Sequence, residues 1–142
     1  MTDDERRAIE ADCERLIKHY VNLNDAQDWP AVAALYTEDA RFARPSQPGV
    51  FIEGRAAILA SFLARPARAQ RHVIANVVVE VEDTNHARSF CAILLYQGDP
   101  VAEGLPAMSA NSPLVGTFTD RLVRTNEGWR FAERAGGLDF AP

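Results

Sequence analysis

Apolar residues change their spacing midway along this chain, and that change constrains the fold more than any other feature. Up to Arg65 they recur at steps of three and four; from His72 onward they form β-branched runs and alternations punctuated by turns. The first period suits helices with one buried stripe, the second suits strands. Helices first and long strands second is the order of an α+β domain, with an antiparallel sheet curved around the helices. The length of 142 residues fits one domain spanning 1–142.

The punctuation refines this outline. Thr2 and Glu5 form a capping box, and Asp3 and Asp4 add negative charge where the helix dipole favours it. The helix that starts there carries Ile9, Cys13, Leu16, Ile17, Tyr20, Val21 and Asn24 on one stripe, ending near Asp25. Asp28 caps a short second helix with Pro30 in its first turn and Val32, Leu35 and Tyr36 on its buried side, ending at Thr37-Glu38-Asp39. Arg41 to Ala43 and Val50 to Glu53 read as short strands around a turn-rich loop, Arg44 to Gly49. A third helix runs from Arg55 to Arg65 and stops at Pro66.

Downstream, Val73 to Val81 and Ala87 to Gln97 read as a hairpin, as do Leu114 to Arg124 and Trp129 to Arg134. The connection Gly98 to Pro113 is too long for a tight turn and reads as a mobile or pocket-covering loop, and Gly136 to Pro142 reads as a tail.

Composition excludes several functions. A net charge of −5, with Lys18 the only lysine and arginines scattered along the chain, argues against a nucleic-acid partner. No run approaches the roughly 20 apolar residues of a membrane span, and the N-terminus has no signal-peptide pattern, so a cytoplasmic protein that does not engage membranes is expected. Cys13 and Cys91 lack metal or redox spacing and read as small buried hydrophobes. Without a phosphate loop, a dinucleotide fingerprint, a nucleophile elbow or a histidine-rich metal motif, no cofactor and no metal are expected.

The candidate chemistry lies in H-V-I-A-N, His72 to Asn76, at the head of a strand and well downstream of Asp25. A free imidazole titrates near about 6.5, so it accepts protons near neutrality provided one ring nitrogen is bare and aimed at the substrate. A carboxylate that accepts the other N–H enforces that arrangement. Two readings stand: Asp25 and His72 form such a dyad, or Asp25 merely ends the first helix and His72 sits at the sheet's rim. Strand alternation puts His72, Ile74, Asn76 and Val78 on one face, which offers Asn76 either a place in the pocket or a buried bond to backbone. It also puts Arg130, Ala132 and Arg134 opposite Trp129 and Phe131, with Arg134 pointing inward or paired with Asp120 or Glu133. Tyr20, Trp29, Phe42, Phe51 and Phe62 are expected as core or pocket wall, with His19 and His86 exposed and unrelated.

Three segments, Tyr20 to Phe42, His72 to Asn76 and Thr119 to Arg134, resemble the SnoaL-like branch of the nuclear transport factor 2-like superfamily. The resemblance covers nearly the whole chain and implies a cystatin-like α+β roll, a cone-shaped antiparallel or mixed sheet wrapped around three helices. Within the superfamily the pattern is most similar to scytalone dehydratase and hexachlorocyclohexane dehydrochlorinase. That similarity implies His72 as base, Asp25 as its orienter and Arg134 as the group assisting a departing anion. A ketosteroid isomerase pattern matches Tyr20 and Asp120 as donors, but Arg44 occupies the position of its proton-shuttling aspartate. The expectation is a cofactor-independent lyase or isomerase, dehydratase-like or dehydrohalogenase-like, for a small apolar cyclic or aromatic molecule, with Tyr20 and Asn76 as positioning groups. The alternative is a ligand-binding or assembly protein that keeps the cup without a working base. Self-association as a dimer or trimer is implied by the resemblance.

Overall fold

The computed structural model describes residues 1–142. Helix α1 spans Asp3–Asp25, α2 Trp29–Ala33 and α3 Arg55–Leu63. The strands are β1 (Tyr36–Ala43), β2 (Phe51–Glu53), β3 (Ala69–Asp83), β4 (His86–Gly98), β5 (Leu114–Thr125) and β6 (Gly128–Leu138). They form one open six-stranded sheet in the order β2-β1-β6-β5-β4-β3. The sheet is mixed, because β1 runs parallel to β6 while every other pair is antiparallel.

Helix α1 begins as its sequence dictates. The Thr2 side chain accepts from the Glu5 amide at 3.1 Å and the Glu5 carboxylate accepts from the Thr2 amide at 2.7 Å. Its buried residues are Ile9, Cys13, Leu16, Ile17, Tyr20, Val21 and Asn24, the stripe read from spacing. Each large aliphatic side chain so buried contributes roughly 1.5–3 kcal/mol. The stripe packs on β3 and meets Phe118, Leu122, Trp129 and Phe131 in the core. Burial pushes the Cys13 thiol up to about 12, and both cysteines are free and buried. The Asp28 side chain accepts from the Ala31 amide at 3.3 Å and caps α2.

Four local expectations are corrected. Strand β1 begins at Tyr36, so Thr37-Glu38-Asp39 is strand and not the end of a helix; pairing of Tyr36 with Phe131 in β6 overrides weak strand propensity. Gly136 to Leu138 are strand as well, paired with Gly116 to Phe118, and not a tail.

The other two corrections come from β-bulges, each of which inserts a residue and reverses the alternation beyond it. In β3 the register slips between Ala75 and Val78, with Asn76 at φ +54°, so Val77, Val79 and Val81 turn inward while Asn76 and Val78 are exposed. In β6 the slip falls at Ala132, between the pairs Arg121–Glu133 and Leu122–Phe131. Trp129 and Phe131 therefore share the inner side with Arg134, not the outer side opposite it.

Gly136 is fixed by close approach. A Cβ there would lie 2.6 Å from the Pro45 nitrogen and 2.7 Å from its Cδ, against a loop that also lines the cavity described below. Gly136→Ala is expected to cost about 1–3 kcal/mol, as overpacking does. A thermal melt several degrees lower checks this, and an unchanged melt refutes the close approach.

Candidate active site

One end of the sheet opens into a cavity of about 360 Å³ between the strands, the C-terminal end of α1 and α3. Its apolar wall comes from Tyr20 and Val21 of α1, Trp29 of α2, Phe42 of β1, Phe62 of α3, Ile93 and Leu95 of β4, Leu114 and Phe118 of β5, and Leu138 of β6. Trp29 and Phe62 stack at 5.1 Å, and Phe62 stacks on Phe42 at 5.5 Å. The polar wall comprises Asn24, Gln27, Arg44, Ser46, Arg65, Arg68, Gln70, His72 and Gln97.

His72 and Asp25 meet. The first helix ends at Asp25 just where β3 crosses it, and one carboxylate engages His72 twice. Oδ1 lies 2.5 Å from the ring Nδ1, and Oδ2 accepts from the His72 backbone amide at 2.8 Å. The Asp25 side chain is 3% exposed and the His72 side chain 12%, with the exposed Arg71 guanidinium 3.5 Å from Oδ2. A carboxylate only accepts, so the neutral ring carries its proton on Nδ1 and leaves Nε2 bare. His72 is part of the cavity wall.

Tyr20 and Tyr36 share a hydrogen bond at 2.7 Å between their hydroxyls. Burial pushes the Tyr20 phenol up and the Tyr36 phenol well up, so both keep their protons. With Tyr36 donating, the Tyr20 hydroxyl retains a proton to offer, and Tyr20 is the one of the two that lines the cavity.

Arg134 does not line the cavity. Its side chain is 0% exposed, its guanidinium lies over the rings of Phe118 (4.0 Å), Tyr20 (4.3 Å) and Phe131 (4.6 Å), and Phe118 and Tyr20 separate it from the open space. Its Nε faces Asp120 Oδ1 at 3.0 Å as an ion pair without hydrogen-bond alignment, and Nη2 contacts Cys91 Sγ at 3.8 Å. Asp120 also accepts from the Ser89 hydroxyl at 2.9 Å. Burial raises the Asp120 carboxyl despite Arg134 beside it; burial opposes the Arg134 charge, but Asp120 holds that guanidinium protonated. The pair is structural in position, which corrects Arg134 as a group touching a leaving anion and Asp120 as a donor to substrate.

Two further expected site residues lie elsewhere. Asn76 is turned out by the bulge, and Phe51 on β2 lies under the Arg41 guanidinium at 3.6 Å, outside the cavity wall. The Gly98 to Pro113 loop contributes nothing to that wall between its ends; Ser109 and Ser112 tie it back to Gln97. His19 and His86 are exposed.

Sequence reasoning missed Asn24, Gln27, Gln70, Gln97, Arg44, Arg65 and Arg68 as wall residues. Gln70 donates to both oxygens of Asn24 at 3.0 Å, and Gln27 donates to the Arg68 carbonyl at 2.7 Å, which stiffens the rim next to the dyad. No three histidine, cysteine, aspartate or glutamate side chains gather as a metal-binding group, and no helix is long and apolar enough to cross a membrane.

Three helices thus pack against an open mixed sheet with a cavity at one end. The chain belongs to the SnoaL-like domain family, whose profile matches residues 5–135. No curated protein sequence matches it. Among solved structures, it is similar to a protein of Novosphingobium aromaticivorans provisionally named a scytalone dehydratase, at 19% identity and a TM-score of 0.81, covering 98% of this chain and 89% of that one. A nuclear transport factor 2-like protein with a cystatin-like fold from the same organism is similar at 24% identity and 0.71, covering 93% and 82%. A ketosteroid isomerase-like protein of Erwinia carotovora atroseptica is similar at 18% and 0.72, covering 92% and 96%. At these identities the likeness shows the fold.

Proposed function

We propose that this protein is a cofactor-independent lyase or isomerase that removes a proton from a small cyclic or aromatic molecule held in the cavity. The observation that carries this is the double grip of Asp25 on His72. It fixes the ring's orientation through the backbone amide and its tautomer through Nδ1, and it leaves Nε2 bare on a ring that lines a mostly apolar cavity. Nε2 takes the proton, and Asp25 stabilises the imidazolium that forms. Tyr20, a residue of the cavity wall, is the donor this reading assigns to an oxygen on which charge develops, as in an enolate. Structural likeness to a provisionally named dehydratase and to a ketosteroid isomerase-like protein agrees with this class of reaction.

The test is a panel of cyclic β-hydroxyketones, cyclic halides and enones, followed by ultraviolet absorbance for elimination and by solvent-deuterium incorporation for proton abstraction. Turnover that disappears in His72→Gln supports the reading. Turnover that survives this substitution overturns it. Binding without turnover or exchange across the panel favours the non-catalytic ligand-binding alternative.

Self-association belongs to the same reading. Val73, Val78 and Phe90 leave apolar surface on the side of the sheet turned away from the helices, with Val78 paired to Phe90 across β3 and β4. Sedimentation velocity is expected to give a dimer or trimer; a monomer at micromolar concentration refutes it.

A further inference from the structure

Of the fourteen arginines eight are ion-paired and six are not, and of those six Arg15, Arg55 and Arg124 lie outside the cavity wall. Arg6, Arg7, Arg41, Arg71, Arg88, Arg121, Arg130 and Arg134 are each ion-paired with a carboxylate. Arg44, Arg65 and Arg68, which the fold gathers around the cavity, are paired with none. In a chain of net charge −5 the cavity wall contains no aspartate or glutamate.

The three guanidiniums also keep unused donors. Arg44 gives one Nη2 bond to the Ser61 carbonyl at 2.9 Å, and its buried Nε has no acceptor. Arg68 reaches the Ser109 hydroxyl at 3.3 Å, and its buried Nε likewise has none. The Arg65 side chain makes no hydrogen bond; its guanidinium lies over Phe62 at 4.4 Å and Trp29 at 5.8 Å, on the aromatic part of the wall. Burial and the like charge of Arg44 bring Arg65 down to about 10, so it stays charged at neutral pH in surroundings that lack a counter-ion. Guanidiniums placed this way match a planar oxyanion, to which they donate paired, charge-assisted hydrogen bonds.

We propose that the cavity selects an anionic ligand, a carboxylate or similarly acidic group on a cyclic or aromatic body, and that Arg44 and Arg65, assisted by Arg68, hold that charge. The aromatic wall of Trp29, Phe42, Phe62 and Phe118 receives the body. Arg44 follows β1 and Arg65 follows α3, whereas His72 stands on β3 at the opposite edge of the sheet order, so the charge is anchored on one side and the base acts from the other. The ligand is thus amphipathic and not wholly apolar. This inference rests on the cavity being the ligand site, as proposed above.

Two fluorescent probes that share one body test it. N-phenyl-1-naphthylamine is neutral, and 8-anilinonaphthalene-1-sulfonate is the same body with an acidic group. The anionic probe is expected to bind at least about tenfold tighter, the scale of one charge-assisted bond gained over a neutral contact. Arg44→Gln and Arg65→Gln should each erode that preference by weakening the anionic probe more than the neutral one. Because the Arg65 side chain makes no hydrogen bond in the protein, Arg65→Gln keeps the test valid if Arg44→Gln melts early. Equal affinities, or a preference that survives both substitutions, overturn the charge selection while the cavity remains a ligand site. Failure of both probes to bind overturns this inference and the ligand-site reading beneath it.

Discussion

Asp25→Asn is expected to abolish most proton-abstraction activity while leaving the fold and ligand binding nearly intact. The reason is specific to the double grip. The backbone amide of His72 only donates, so the asparagine must turn its oxygen toward that amide and present its NH₂ group to the ring where Oδ1 now lies. Nδ1 must then accept, which moves the ring proton to Nε2 and removes the bare nitrogen from the cavity. A wrong-tautomer histidine of this kind can cost on the order of 10⁴ in turnover. His72→Gln, which removes the base itself, should cost about 10²–10⁴-fold. Comparison of kcat with KM checks both: the loss should fall in kcat, and a loss confined to KM would instead make the dyad a binding feature.

The largest effect on stability is expected from Asp120→Ala, which leaves the Arg134 guanidinium buried without its only carboxylate. Removal of one member of a buried ion pair costs about 3–5 kcal/mol. Arg134→Met differs in its pH dependence. The Asp120 carboxyl is already raised by burial, with Arg134 pulling it down, so loss of Arg134 raises it further above its unfolded value. A carboxyl with a raised folded pKa binds protons more tightly in the folded state. The stability it contributes is present in acid and lost as pH rises through the folded value. The deficit of Arg134→Met relative to wild type should therefore shrink as pH falls below neutrality, whereas that of Asp120→Ala should not, because arginine stays charged throughout. A double replacement by Leu and Met should recover much of the loss. Urea midpoints at neutral and mildly acidic pH measure all three variants, and a flat deficit for Arg134→Met would show that Asp120 does not take up the proton.

Much of the fold was legible because it rests on local signals. The α1 stripe follows from spacing alone, and the β3–β4 and β5–β6 hairpins follow from β-branched runs and turn residues. What escaped were the places where one residue changes the register. Asn76 stands in a valine run and is a residue type that tolerates a left-handed backbone, so it could have signalled the bulge; read as ordinary strand, it went to the wrong face. Ala132 carries no comparable mark, and the inward turn of Trp129 and Phe131 depends on its bulge.

The site was legible to a similar degree. The positions of Asp25 at a helix end and His72 at a strand head left their pairing as one of two open readings, and the family resemblance implied it. Arg44, Arg65 and Arg68 could not be joined, because they follow β1, follow α3 and precede β3 respectively, and only the curved sheet brings those ends together. Two of them stand directly before prolines, at Arg44-Pro45 and Arg65-Pro66, which marks a chain ending an element but not which neighbours it meets.

The central claim is that Asp25 holds His72 as a base with Nε2 bare, and the ¹⁵N resonances of the His72 ring test it most directly. Long-range ¹H–¹⁵N correlation on the free protein distinguishes the two tautomers of the neutral ring without any substrate. The account predicts a proton on Nδ1 and an unprotonated Nε2, with the two exchanged in Asp25→Asn. A wild-type ring that carries its proton on Nε2 would contradict it.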